Sequence, residues 1–96
     1  TILERNWRCR YGEIDLIAER GDQLVLVEVK LRKNKRFGNA YEAVDIHKQR
    51  KLTLAGESYL AEHPTPHQVR FDVVSLYAPQ GMETEHPVIE YLENAF

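Results

Sequence analysis

The stretch Gly12-Glu13-Ile14-Asp15-Leu16-Ile17-Ala18-Glu19-Arg20-Gly21-Asp22-Gln23-Leu24-Val25-Leu26-Val27-Glu28-Val29-Lys30-Leu31-Arg32 decides the fold. Gln23 to Leu31 alternates, with Val25, Val27, Val29 and Leu31 on one face and Leu24, Leu26, Glu28 and Lys30 on the other. That period of two, rich in β-branched residues, predicts a strand. Glu13 to Glu19 predicts a second, with Ile14, Leu16 and Ala18 on one face and Glu13, Asp15, Ile17 and Glu19 on the other. Between them Gly21-Asp22 fits a two-residue hairpin turn, because glycine accepts the positive φ that a primed turn needs. With that loop the residue numbers of every cross-strand pair add to 43, so Asp15 is expected opposite Glu28 and Glu13 opposite Lys30.

Working outward, Ile2 to Cys9 predicts a strand before the hairpin. A basic loop from Arg32 to Asn39 follows it, then one helical turn over Tyr41 to Val44. Asp45 is the expected N-cap of a helix of about 18 residues ending near His63-Pro64. Val69 to Tyr77 and Val88 to Phe96 predict two more strands, separated by Pro79-Gln80-Gly81. The order βββαββ implies an α/β sandwich in which one helix covers a mixed sheet. A chain of 96 residues, 43% hydrophobic and 29% charged, is one globular domain over residues 1–96. Its opening, Thr1 in strand pattern, is expected to have lost residues upstream.

Composition also bounds the function. The longest apolar run is Leu24 to Val27, far short of the ~20 residues that a membrane span needs. The single cysteine, Cys9, cannot form an internal disulfide, and with no signal-peptide pattern a cytoplasmic protein without membrane partners is expected. The net charge of −2 hides an asymmetry: residues 1–51 hold 12 Lys/Arg against 8 Asp/Glu, and residues 52–96 hold one against seven. A basic face for phosphates follows, or chance scatter in a short chain.

The hairpin register carries the chemistry. Opposed Cβ atoms lie ~4.5–5.5 Å apart, so Asp15 and Glu28 would be neighbouring like charges beside an apolar strand. A divalent metal compensates such a pair, since Mg²⁺ takes one or two carboxylates with water and phosphate oxygens. The competing reading is a cross-strand ion-pair ladder of Glu28, Lys30, Asp15 and Glu13 in water. Lys48 falls in line with Leu52, Ala55 and Tyr59 on the helix, so it points at the metal site or snorkels off the sheet edge. Gly56 on that flank suggests close approach to a strand. The four histidines and Cys9 form no zinc signature, with His63 and His67 read as loop residues. Trp7 and Phe37 stack on bases or, more simply, anchor core and loop.

Gly12 to Ala18, Leu26 to Arg32, Phe37-Gly38, Lys48, Arg70-Phe71-Asp72-Val73-Val74 and the closing Glu93-Asn94-Ala95-Phe96 together resemble the bacterial YraN-like family. That family belongs to the PD-(D/E)XK, restriction-endonuclease-like superfamily. The resemblance implies an αβββαβ core with a mixed central sheet and metal-dependent hydrolysis of phosphodiester bonds. Residue by residue it implies Asp15 and Glu28 as metal-binding carboxylates and Lys30 as the catalytic lysine. Asp15, Glu28 and the Val29 carbonyl would hold Mg²⁺ or Mn²⁺, with Glu13 and Lys48 in support. The chain departs from the pattern in two ways: Ile14 stands where the superfamily's name has Pro, and the first core helix, which precedes Ile2, is absent. Some superfamily nucleases bring a further carboxylate from that helix.

The expected function is an endonuclease acting on DNA rather than RNA, with branched or junction DNA as one candidate and a homodimer suited to cutting two strands. The alternatives are a non-catalytic nucleic-acid-binding module of the same fold and a protein-interaction domain. Arg32, Lys33, Lys35, Arg36, Arg50 and Lys51 are the expected phosphate contacts. Replacing Lys33, Lys35 and Arg36 together with Ala should weaken binding to all sequences alike and flatten its salt dependence. Fluorescence anisotropy titrations at several salt concentrations check this, and a loss confined to one sequence would show base reading instead.

Overall fold

A computed structural model describes residues 1–32, 46–77 and 88–95. It contains strands β1 (Ile2–Cys9), β2 (Gly12–Arg20) and β3 (Gln23–Arg32), helix α1 (Ile46–Glu62), and strands β4 (Gln68–Tyr77) and β5 (Val88–Leu92). The strands form one sheet in the order β1-β2-β3-β4-β5. β3 and β4 run parallel, the pairing that the α1 crossover requires, and the other neighbours are antiparallel. The fold is thus mixed α/β, as the element order implied. No helix among the described residues is long and apolar enough to cross a membrane. The expected turn over Tyr41 to Val44, the Asp45 cap and Phe37 lie outside the described residues.

The hairpin turn is as the sequence predicts. Arg20 pairs with Gln23, and Gly21 takes φ +61° while Asp22 stays out of the positive region, the type II′ pattern. α1 lays Leu52, Ala55, Gly56 and Tyr59 on the sheet, the stripe expected from 3.6-residue spacing. Ala55 and Tyr59 meet the β3 face that carries Leu24 and Leu26, with Ile14, Ile17 and Phe71 alongside, and Leu52 packs with Val73. Gly56 leaves room where the helix lies on the sheet: a Cβ there would stand 2.9 Å from Leu26 Cδ1 and 3.0 Å from Phe71 Cζ. Trp7 closes the core edge-on against Tyr59, with ring centroids 5.2 Å apart, so its core reading holds. His63 stacks on the same Tyr59 ring at 4.4 Å.

The last strand is shorter than expected. β5 ends at Leu92, because Asn94 adopts φ +51° and turns the chain back. The Asn94 N–H donates to Asp72 Oδ1 at 2.9 Å, and the Ala95 N–H donates to the Phe71 carbonyl at 2.7 Å. Asp72, only 1% exposed, organises this end of the sheet. Arg70 Nε and Nη2 donate to its two oxygens at 2.9 Å each, and the Tyr91 hydroxyl donates to Oδ2. Arg70 Nη1 also donates to Gln23 Oε1 at 2.9 Å, so one cluster ties β3, β4, β5 and the final turn together.

Asp72→Asn replaces an acceptor oxygen by an amide NH2 that faces donors, leaving Arg70 without its bidentate partner. Unfolding of this variant in urea should show a loss of about 3–5 kcal/mol, the scale of breaking one side of a buried ion pair.

Candidate metal centre and its lysines

The candidate site forms where β2 and β3 part. Their ladder runs from Arg20↔Gln23 to Leu16↔Val27 in the counted register and ends there, one pair short of Asp15 and Glu28. The Asp15 carboxylate takes over the bonding: the Val29 N–H donates to its Oδ2 at 2.7 Å. A buried backbone donor that leaves a ladder needs another acceptor, and Asp15 supplies it.

The face assignment in β2 also differs from simple alternation. Ile14 and Ile17, at 1% and 0% exposure, both belong to the core under α1, although an odd number of positions separates them. β2 therefore changes sides between them. Opposite, Asn6 takes the left-handed φ of +52°, while Glu4 and Trp7 on either side of it both approach Tyr59. A local break of this kind re-aims a side chain that strict alternation would have placed elsewhere. Asp15 lines a hollow of about 420 Å³ with Arg5, Asn6, Leu16 and Val29. Asp15 and Glu28 thus meet at the seam between the strands, and not as ladder partners.

Glu28 is buried, 7% exposed, and one of its oxygens receives two ammonium groups. Lys48 Nζ from α1 lies 2.7 Å from Glu28 Oε1, and Lys30 Nζ lies 3.3 Å from the same atom. Of the two directions expected for Lys48, the inward one is therefore realised. Glu13 does not face Lys30: it pairs with Arg8 across β1 and β2, and its carboxylate lies 3.7 Å from Arg8 Nε. The partner expected for Lys30 is replaced by Glu28, two residues away on its own strand. Glu13 still acts on the site at a distance. Burial pushes the Asp15 carboxyl above the ordinary carboxylate range, the Val29 N–H pulls it down, and the Glu28 and Glu13 charges push it up further.

Among the expected phosphate contacts, Lys51 shares a hollow of about 130 Å³ with Glu13 and Lys48. Arg50 lines a different one, of about 550 Å³, with Ile46, Gln49, Thr53 and Leu54. Arg32 ends β3, paired with Tyr77. Lys33, Lys35 and Arg36 lie outside the described residues. The Arg70–Asp72 pair is a feature that sequence reasoning missed. Its signal was an oppositely charged pair two residues apart in an apolar strand, which places both on one face.

Among the described residues no three His, Cys, Asp or Glu side chains gather closely enough to hold a metal by themselves. The donors on offer are the Asp15 and Glu28 carboxylates, hard oxygen ligands of the kind that Mg²⁺ takes with water and phosphate. Burial first, and then the neighbouring Glu28 and Glu13 charges, raise the Asp15 carboxyl, and a bound cation would offset both effects. The residues fit a divalent cation on these grounds.

Comparison with known proteins places the chain in a family. Residues 1–76 match the model of uncharacterised protein family UPF0102. A UPF0102 protein of Nitrosospira multiformis is 43% identical over 96 residues, covering all of this chain and 76% of its own. One from Rhodococcus opacus is 46% identical over 96 residues, covering 99% of this chain and 79% of its own. One from Frankia alni is 47% identical over 97 residues, covering all of this chain and 78% of its own. The chain belongs to the UPF0102 family.

Asp15→Asn keeps an oxygen for the Val29 N–H and removes one of the repelling charges. Because the folded carboxyl titrates above its unfolded value, ionisation of Asp15 costs stability as pH rises through the folded pKa. The variant should be more stable than the wild type at neutral pH, by about 0.5–1 kcal/mol. The difference should shrink below the ordinary aspartate range. Thermal melts between pH 3 and pH 8 check both the sign and the window. A solvated ion-pair ladder would give no gain at any pH.

Proposed function

We propose that this UPF0102 protein is a metal-dependent endonuclease domain of the restriction-endonuclease-like type, akin to the YraN-like family, that hydrolyses phosphodiester bonds in DNA. The observation that carries the reading is the meeting of Asp15, Glu28 and Lys30 where the β2–β3 ladder ends, with the Asp15 carboxylate anchored on the Val29 N–H at 2.7 Å. Two carboxylates this close are costly unless cations compensate them; Lys30 and Lys48 do so at rest, and a divalent ion would do so when bound.

Asp15, Glu28 and the Val29 carbonyl would hold Mg²⁺ or Mn²⁺. The ion supplies neutralisation of the scissile phosphate and a lowered pKa for a bound water. Lys30, held beside Glu28, would position an attacking water or meet the charge that grows on the phosphate oxygens. Asp15 keeps its geometry through the backbone, which needs no rearrangement when substrate arrives. Glu13 contributes by its charge rather than by contact with Lys30. Lys51, near Glu13 and Lys48, and the loop lysines and arginines attract the polyanion.

A cleavage panel of duplex, single-stranded, flap and junction DNA and of RNA, run with Mg²⁺ or Mn²⁺ and with EDTA, tests the reading. Metal-dependent cutting of DNA is expected, and Lys30→Ala should lower its rate by about 10²-fold or more. Salt-sensitive binding without cleavage would instead identify a nucleic-acid-binding module. Neither binding nor cleavage would leave the ion pairs as the surface of a protein-interaction domain.

A further inference from the structure

The same Glu28 oxygen that a divalent cation needs already receives Lys48 at 2.7 Å, closer than the 3.3 Å of Lys30. Building on the metal-site reading above, we propose that Lys48 guards the centre: its ammonium occupies Glu28 until a divalent cation displaces it, and the released ammonium then serves as a phosphate contact.

The two lysines are not equivalent in how they can leave. Lys30 sits two residues from Glu28 on the same strand and face, so its Cβ stays beside the carboxylate and its ammonium has a short reach to it. Lys48 comes from α1, and only its flexible side chain reaches across. The helix itself cannot withdraw, because Leu52, Ala55 and Tyr59 are buried against the sheet and Gly56 allows contact with Leu26 and Phe71. Release is therefore a rotation of one side chain. The lysine stem has about four rotatable bonds, and the ammonium is a point charge without the planar fork that would lock an arginine on a carboxylate.

There is also a place for the ammonium to go. Lys48 is about one-third exposed and borders the hollow shared with Glu13 and Lys51. A dication at Glu28 would repel Lys48 toward that hollow, beside a second cation that faces solvent. Two ammonium groups next to a metal form a phosphate-attracting surface that the metal-free arrangement lacks. Until then the repulsion within the carboxylate pair is offset by a group that a cation can replace.

The test measures binding rather than turnover. Mn²⁺ is titrated calorimetrically into the wild type, Lys48→Met and Glu28→Gln. In parallel, reductive methylation of Lys48 is followed by peptide mass spectrometry with and without saturating Mn²⁺. Lys48→Met should bind Mn²⁺ about tenfold more tightly, the scale of one displaced charge-assisted hydrogen bond. Mn²⁺ should speed methylation of Lys48 several-fold in the wild type, and Glu28→Gln should show the fast rate without metal. If the wild type binds Mn²⁺ but its Lys48 reacts equally with and without the ion, the guard is overturned while the metal site stands. The guard is equally overturned if Lys48→Met binds no tighter than the wild type. If neither protein binds Mn²⁺ at millimolar concentration, the metal site itself falls and the guard with it. The methylation arm uses the wild type alone, so it decides even if Lys48→Met folds poorly.

Discussion

The structure turns on one exchange of acceptors, the point at which the Val29 N–H leaves the β2–β3 ladder and donates to the Asp15 carboxylate. A backbone donor in a sheet interior must be satisfied, and a charged acceptor does this more strongly than a carbonyl. The consequence is a carboxylate tied to the backbone beside Glu28. That proximity creates a demand for positive charge, met by Lys30 from the strand and Lys48 from the helix. Lys48 can answer because α1 packs on the sheet, where Gly56 leaves room for Leu26 and Phe71. Strand parting, helix docking and the charge cluster are linked steps.

The sheet holds a second buried carboxylate, and the contrast explains why only one is a candidate for exchange. Asp72 is closed on all sides, with a bidentate Arg70, the Tyr91 hydroxyl and the Asn94 N–H filling its acceptor positions. A planar guanidinium locked on two oxygens, on a side chain 12% exposed, is a fixed structural bond. Glu28 is held instead by two ammonium groups on side chains 30% and 34% exposed, both converging on one oxygen. The first arrangement tolerates no new ligand without losing the packing of β4 and β5. The second leaves room for one.

Much of this was legible in the residues. The Val-rich alternation of Gln23 to Leu31, the Gly21-Asp22 turn and the Lys48, Leu52, Ala55, Tyr59 stripe are local signals of fixed period, and local signals survive folding. Counting outward from the turn located Asp15 near Glu28 but made them ladder partners, because counting assumes that pairing continues. The side change between Ile14 and Ile17 depends on a left-handed Asn6 in a neighbouring strand, a non-local event that the alternation of β2 alone does not encode. Asp72 was missed for a similar reason. Its importance comes from Tyr91 and Asn94, nearly twenty residues or more away, which no spacing rule connects to it. The early end of β5 follows from the same network.

Charge balance gives the site a direction. Asp15 and Glu28 against Lys30 and Lys48 come to neutrality when all four are ionised, an arrangement that is self-sufficient at rest. In the metal-dependent reading, a divalent cation adds two positive charges to a cluster that was already balanced. Glu13, paired with Arg8 and acting only at a distance, offsets part of the surplus. The rest is relieved by an incoming anion, and a nucleic-acid backbone supplies one charge per phosphate at the required spacing. Metal and polyanion would then each improve the binding of the other, since a coupling free energy between two ligands is reciprocal. A cluster that takes up no divalent cation would show no such reciprocity, because its balanced charges would never acquire the surplus that an anion relieves.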